Sequence, residues 1–236
     1  MKTAVISVSI LLALAMVLTY KAVSHAASSI KSAFSTSEKI TETFRSNLEK
    51  VISTRGNILE LAISEGDEYF KTENERRAFG GNLYLGTSTA EIDARCTFRY
   101  HLQLSDEWKL EVRSNLCVVH APRFRPSLPV AIHTDTIRKH AESGWARFDK
   151  HELVDALEAR MTGELAHRSV DGRHIQAVRE TCRQSVADFV KTWLLREDHW
   201  RADRYSSIIV HFPDDPAPSQ NGWQSSDTVP VIRLTQ

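Results

Sequence analysis

The sequence predicts an α+β protein held to a membrane. Three features carry that expectation: an uncharged apolar run at the N-terminus, strict two-residue alternation from Ile92 to Leu104, and two apolar stripes at helical spacing in the second half. The expected architecture is an N-terminal transmembrane helix and stalk helix, then an antiparallel sheet built on a long hairpin with two long helices packed on it. Residues 1–21 are the anchor, 22–57 an amphipathic stalk helix, 58–213 a globular α+β domain and 214–236 a disordered tail.

The anchor rests on Ala4 to Leu18, which contains no charge; with Thr3, Thr19 and Tyr20 it becomes long enough for a bilayer-spanning helix. Tyr20 and Lys21 follow as an aromatic–cation pair suited to the headgroup level. The expected partner is therefore a lipid bilayer, contacted through residues 3–20 in a single pass. Lys2 and the terminal amine favour a cytoplasmic N-terminus with the domain outside, although Lys21 and Lys31 flank the other end. Ser24-His25-Ala26 also fits signal-peptidase cleavage before Ala27, which leaves a secreted form open.

Beyond the anchor, Ile30, Phe34, Phe44, Leu48 and Val51 fall on one seam whose middle is filled by Ser37 and Thr41. Such a stripe either pairs with a second copy, making a homo-oligomer through the stalk, or packs on its own domain. Gly56-Asn57 ends the stalk, and the charged stretch from Glu65 to Arg77 reads as surface. After Gly80-Gly81, Ile92, Ala94, Cys96, Phe98, Tyr100, Leu102 and Leu104 alternate with polar residues, predicting a strand with one buried face. Trp108, Leu110 and Val112 resume the alternation past a polar turn, which predicts a hairpin between the two runs. An extra residue at Ser114-Asn115 would bring Cys117 opposite Cys96, so the pair is either a disulfide or two buried thiols.

Pro122, Pro126 and Pro129 keep the next stretch out of a sheet interior, with Leu128 to Ile132 as a possible edge strand. A short helix is expected from Thr134 or Asp135 to Glu142. A longer one starts at Asp149 with Glu152 in a capping-box position, its face lined by Leu153, Leu157, Met161 and Leu165. Asp171 caps the next, with Ile175, Val178, Cys182, Val186, Phe189, Val190, Trp193 and Leu194 inward. Ser206 to Phe212 is the last strand, and the Pro-, Ser- and Asn-rich tail follows.

This layout resembles a known family. HAPRFRPSLPVAIHTDTIRK, VRETCRQSVADFVKTWL and IIVHFPDD occupy the positions that the bacterial domain-of-unknown-function 4230 family gives to its Pro-bounded segment, second helix and terminal strand. The likeness covers roughly residues 45 to 215. It implies a membrane-tethered α+β domain and transfers no catalytic residue.

Thirty basic side chains balance thirty acidic ones, so the excess positive charge of a nucleic-acid binder is missing. Nothing in the sequence calls for a cofactor, and three cysteines without CxxC spacing make no common zinc pattern. The histidines are plentiful but poorly spaced. His133 and His140 are seven apart, His151-Glu152 lacks a second histidine at i+4, and His167 and His174 straddle a turn. Ser28-Ser29-Ile30-Lys31 matches Ser-x-x-Lys only formally, with no pocket or companion motif. The best candidate for binding is the wet face of the expected hairpin, with Arg95, Arg99, Lys109 and Arg113, which suits anionic headgroups or an acidic partner. The reading is a non-enzymatic scaffold or binding module at the cell envelope, its protein partner unknown. A membrane-bound hydrolase is the alternative, and it requires at least two of His133, Asp135, His140 and His151 to converge in a pocket.

Overall fold

The computed structural model describes residues 36–54, 56–79, 83–113, 115–143, 150–196, 207–215 and 232–233. The expected anchor, the start of the stalk and Phe34 lie outside them. Among the described residues no helix is long and apolar enough to cross a membrane. The fold is α+β, with an antiparallel sheet and helices packed on it.

The chain divides into two compact units. One comprises Gly56–Asp106 and Pro122–Val190; the other comprises Met1–Arg55, Glu107–Ala121 and Lys191–Gln236.

In the first unit, β1 (Ile58–Ala78) and β2 (Leu83–Gln103) pair antiparallel along almost their whole length. Twenty-one residues at about 3.3 Å each make an arm of roughly 70 Å. The alternation predicted for residues 92–104 is present and begins earlier, near Leu85. Its partner differs from expectation: the stretch from Glu65 to Arg77, read as charged surface, is the strand that pairs with it. Charged residues are tolerated there because every second one faces solvent; Glu65, Asp67, Lys71 and Glu73 are all exposed. Asn57 fixes the register at one end. Its carbonyl accepts from Leu104 N at 2.8 Å, and its side chain bonds Ser105 N at 2.7 Å and Ser105 Oγ at 2.8 Å.

Along the other edge of β2, three short strands follow one another: β5 (Arg125–Pro126), β6 (Ala131–Ile132) and β7 (Arg138–Glu142). Prolines break this edge into pieces, as their missing N–H groups require. The helix expected from Thr134 is instead one 3-10 turn, Thr134–Thr136, leading into β7. Two helices cover one face of the sheet, α2 (Lys150–Ser169) and α3 (Gly172–Arg196). The buried side chains of α2 are Val154, Leu157, Met161, Leu165 and Ser169, so Val154 takes the place expected of Leu153. Asp171 accepts the Ile175 N–H through its carbonyl at the start of α3. Val178, Cys182, Val186 and Val190 of that helix are buried.

The second unit is assembled from three separated segments. Residues 36–54 form α1, which ends before Gly56, where φ is +94° and glycine carries no strain. The strands are β3 (Lys109–Arg113), β4 (Leu116–His120), β8 (Ser207–His211) and β9 (Ile232–Arg233), in the order β3-β4-β8-β9. β3 and β4 form a tight hairpin of their own, with Arg113 opposite Leu116. The longer hairpin in which a bulge was expected at this point does not form. β4 runs parallel to β8. β9 lies within the stretch expected to be a disordered tail and pairs with β8.

The stalk stripe packs within this unit. Ile40, Phe44 and Leu48 are buried, and the Phe44 ring meets Trp108 at 5.3 Å and Trp193 at 4.8 Å, both edge-on. The polar seam positions have a partner as well. Ser37 Oγ accepts from Val112 N at 3.1 Å, Thr41 Oγ1 accepts from Leu110 N at 3.0 Å and bonds Leu110 O at 3.1 Å, and Arg45 donates to Trp108 O at 3.1 Å. Four helical residues rise about 6 Å and two strand residues about 6.6 Å, so one side chain per helical step meets every second residue of β3. The outer edge of that strand is closed by the helix.

The units also part the cysteines. Cys96 lies opposite Gly66 and Ile132, while Cys117 lies opposite Val112 and Ile208 in the other sheet. The expected register between them does not occur, and Cys96, Cys117 and Cys182 are free and buried. Burial pushes their thiols up to about 11, 12 and 12 respectively.

Candidate functional site

A polar groove of the first unit lies between the edge strand β1 and the α2–α3 junction. Ala62, Ser64, Gly66, Glu68 and Phe70 point toward the helices because they share the face of β1 opposite its exposed residues. Glu68 is the unexpected member, a carboxylate on a covered face with a side chain only 13% exposed. Arg168, in the last turn of α2, holds it with a 2.6 Å hydrogen bond and lies with its guanidinium carbon 4.5 Å from the Phe70 ring centre. Glu164 reaches the same guanidinium at 3.4 Å, and His174 Nε2 approaches Glu68 at 3.7 Å. The His174 ring is 4.7 Å from that of Phe98 on the sheet floor.

Gly66 leaves this region open. A Cβ built there would meet no atom within 4 Å. The resulting groove holds about 730 Å³, and a side compartment of about 150 Å³ continues past Arg168 toward Phe70 and Met161. Ser64 lines the groove with His174 and Glu68, but no acyl-transfer triad is built. Ser64 makes no hydrogen bond to His174, whose Nε2 faces the carboxylate instead. Ser64 and Glu68 stand four strand residues apart, about 13 Å, too far for one imidazole to bridge. The charged groups are committed to one another, which suits holding a shape more than moving a proton.

The predicted basic face divides between the two units. Arg95 and Arg99 are exposed on β2, where Arg95 pairs with Asp67 at 3.2 Å. Lys109 belongs to β3 in the other unit and pairs with Glu111 at 2.9 Å, while the Arg113 side chain lies outside the described residues. The hairpin that was to align all four does not form.

The histidines expected to converge do not. His133 bonds Thr97 Oγ1 at 2.7 Å, His140 is exposed beside Glu142, and His151 is exposed in the first turn of α2. Asp135 lines a separate cavity of about 400 Å³ with Asp67, Asp93, Arg95 and Arg138. Among the described residues no three His, Cys, Asp or Glu side chains gather as a metal site. In the second unit His120 and His211 lie side by side on β4 and β8, rings 6.1 Å apart, with Glu111 at 3.3 Å from His120. Burial lowers the His120 pKa against the opposing pull of Glu111.

Sequence reasoning missed Glu68, Arg168 and Gly66, and named His174 only as a turn residue. Glu68 and Arg168 are 100 residues apart, and each alone reads as solvated charge. The usable signal was Tyr69-Phe70, two aromatics directly after Glu68 in a stretch otherwise polar. Compared with known proteins, the chain matches no family model, no curated protein and no solved structure.

Proposed function

We propose that this protein is a non-enzymatic binding module tethered to a membrane at the cell envelope, with the groove between β1 and the α2–α3 junction as its ligand site. The observation that carries the reading is the mutual commitment of Glu68, Arg168, Glu164 and His174 around an open space at Gly66. A prepaid ion network fixes the walls, as a binding site needs, and leaves no activated nucleophile. The tether is residues 3–20, supported by the uncharged run and its Tyr20-Lys21 border. The layout resemblance to the domain-of-unknown-function 4230 family supports the same placement.

The full chain in its native membrane is expected to resist carbonate extraction. A photoreactive residue at Ala177, which lines the groove, is expected to cross-link a defined partner, and Gly66→Trp to abolish the product by filling the space. A hydrolytic activity removed by His174→Ala would overturn the reading, as would a cross-link indifferent to Gly66→Trp.

A further inference from the structure

We propose that the tip of the β1–β2 hairpin is a second membrane contact, inserting Phe79, Leu83 and Tyr84 into the interfacial layer of a phospholipid bilayer. It is independent of the groove and of residues 3–20. Toward the tip, the last strand to flank the hairpin is β7, which ends with Glu142 opposite Thr89, itself paired with Glu73. Beyond that point β1 and β2 pair as strands only with each other among the described residues. The five residues Asn74–Ala78, at about 3.3 Å each, carry the hairpin roughly 16 Å past its last neighbour.

This projection sorts its side chains along its length. The stem is polar: Glu73, Asn74, Glu75, Arg76 and Arg77 are all exposed. The end is apolar, with Phe79 81%, Tyr84 48% and Leu83 43% exposed. Three of the eight exposed large apolar side chains among the described residues thus fall within six positions, whereas scattered ones would need no explanation. A β-bulge marks the change. The ladder shifts register between Glu75 and Arg77, and Gly86, at φ +95°, lies on the strand with the extra residue. On the far side of Gly86, Leu83 and Tyr84 are both exposed although they are neighbours in the strand. Phe79 itself sits at φ +52°, in the left-handed region that a bulky residue rarely adopts. Packing does not hold its ring there, since it is the most exposed of those eight side chains.

Size and shape select the occupant. A whole aromatic side chain covers about 150–250 Å², so at these exposures the three side chains present roughly 300 Å². A stable protein partner, or a second copy, takes about 800 Å² from each side, with matching shape. A bilayer interface receives a convex tip without a matching pocket, and aromatic side chains concentrate at that level. Charge does not drive the contact. Arg76 and Arg77 stand against Glu73 and Glu75, and Arg77 is paired with Glu75. A zwitterionic lipid therefore suffices.

The full chain in phosphatidylcholine nanodiscs tests this, carrying an NBD fluorophore on Leu83→Cys or, as a control on the stem, on Asn74→Cys. Cys96, Cys117 and Cys182 are buried, so labelling of the folded chain goes to the added thiol. Nitroxide-bearing phosphatidylcholine is placed either in the disc or in added liposomes. At Leu83→Cys the emission is expected to fall at least twofold with nitroxide lipid in one of the two bilayers, at low and high salt alike. At Asn74→Cys it should stay unchanged. Adding Phe79→Gly with Tyr84→Ser should abolish the fall. Glycine suits the left-handed position, so the hairpin survives, and unchanged amide exchange at Ile92 and Ala94 verifies this. No fall from either bilayer, an equal fall at both positions, a fall abolished by salt, or one that survives the double variant would overturn the insertion. A blue-shifted emission that neither lipid quenches and that grows with protein concentration would overturn it in favour of a second copy. Carbonate extraction of the unlabelled chain reads the tether at residues 3–20 separately, so either contact can fail alone.

Discussion

The two units treat an exposed strand edge in opposite ways. In the discontinuous unit, α1 lays Ser37, Thr41 and Arg45 along β3 and satisfies its outward backbone at Val112, Leu110 and Trp108. In the other, β1 is four times as long, and among the described residues no backbone partner covers its outer edge from Ala62 to Glu73, beside a polar groove. A closed edge serves stability, and an open edge is a liability unless something uses it. The difference identifies where this chain spends residues on holding itself together and where it does not.

The comparison is broken most severely at Phe44. Replacing it by Asp would bury a carboxylate between Trp108 and Trp193, and the discontinuous unit is expected to unfold, while Phe44→Ala costs about 3–5 kcal/mol. Tryptophan fluorescence during urea titration reads the loss, and hydrogen exchange at Phe98 and Tyr100 should show the other sheet retained. An effect limited to oligomer size, with fluorescence unchanged, would contradict the packing. Next comes Arg168→Met, which strips Glu68 of its guanidinium on a mostly covered face. About 2–3 kcal/mol is expected at pH 7, with much of it recovered when Glu68→Gln is added. A double variant no better than Arg168→Met alone would show the pair to be uncoupled.

Thr41→Val tests the closed edge directly. It leaves both backbone groups of Leu110 without their side-chain partner, at a cost of about 1–3 kcal/mol, and should speed hydrogen exchange at Leu110 more than at Val118. The smallest effect is electrostatic. Because His120 has a pKa below its ordinary 6.5 in the folded state, the unfolded chain binds its proton more readily. Its contribution is complete above about pH 6.5 and is lost as pH falls toward the folded value. Lys109 and His211 act in the same direction and Glu111 against it. His120→Gln should therefore flatten the stability of that unit between pH 7 and 5. A steeper slope in the variant would reverse the sign.

Period-two alternation made β2 legible because its inner residues are apolar without a gap. β1 was not, since its covered positions include Ser64, Gly66 and Glu68, which only acquire meaning from α2 and α3. Both long helices were legible through their stripes, and the seam of α1 was legible as a stripe. Its partner was not, because Trp108 and Trp193 reach it from distant segments. Alternation also cannot say which strand pairs with which: the runs at 92–104 and 108–119 satisfy a hairpin pattern equally well while belonging to different sheets. No residue of the groove was readable as a binding group, because the groove depends on a contact between Glu68 and a residue 100 positions later.

The parallel pairing of β4 with β8 sets a schedule for biosynthesis. About ninety residues separate Leu116 from its partner Ser207, and at roughly 5–20 residues per second they take on the order of 5–20 s to emerge from the ribosome. For that interval β3 and β4 can form only a hairpin, marginal in water by itself, with α1 along its outer strand. β1 and β2 of the other unit precede this window, and its remaining strands β5, β6 and β7 and the helices α2 and α3 are synthesised inside it. A nascent chain arrested before Ser207 is thus expected to display one folded body and one unfinished hairpin, and slowing translation between Val190 and Ser207 would lengthen the time for which a chaperone could hold it.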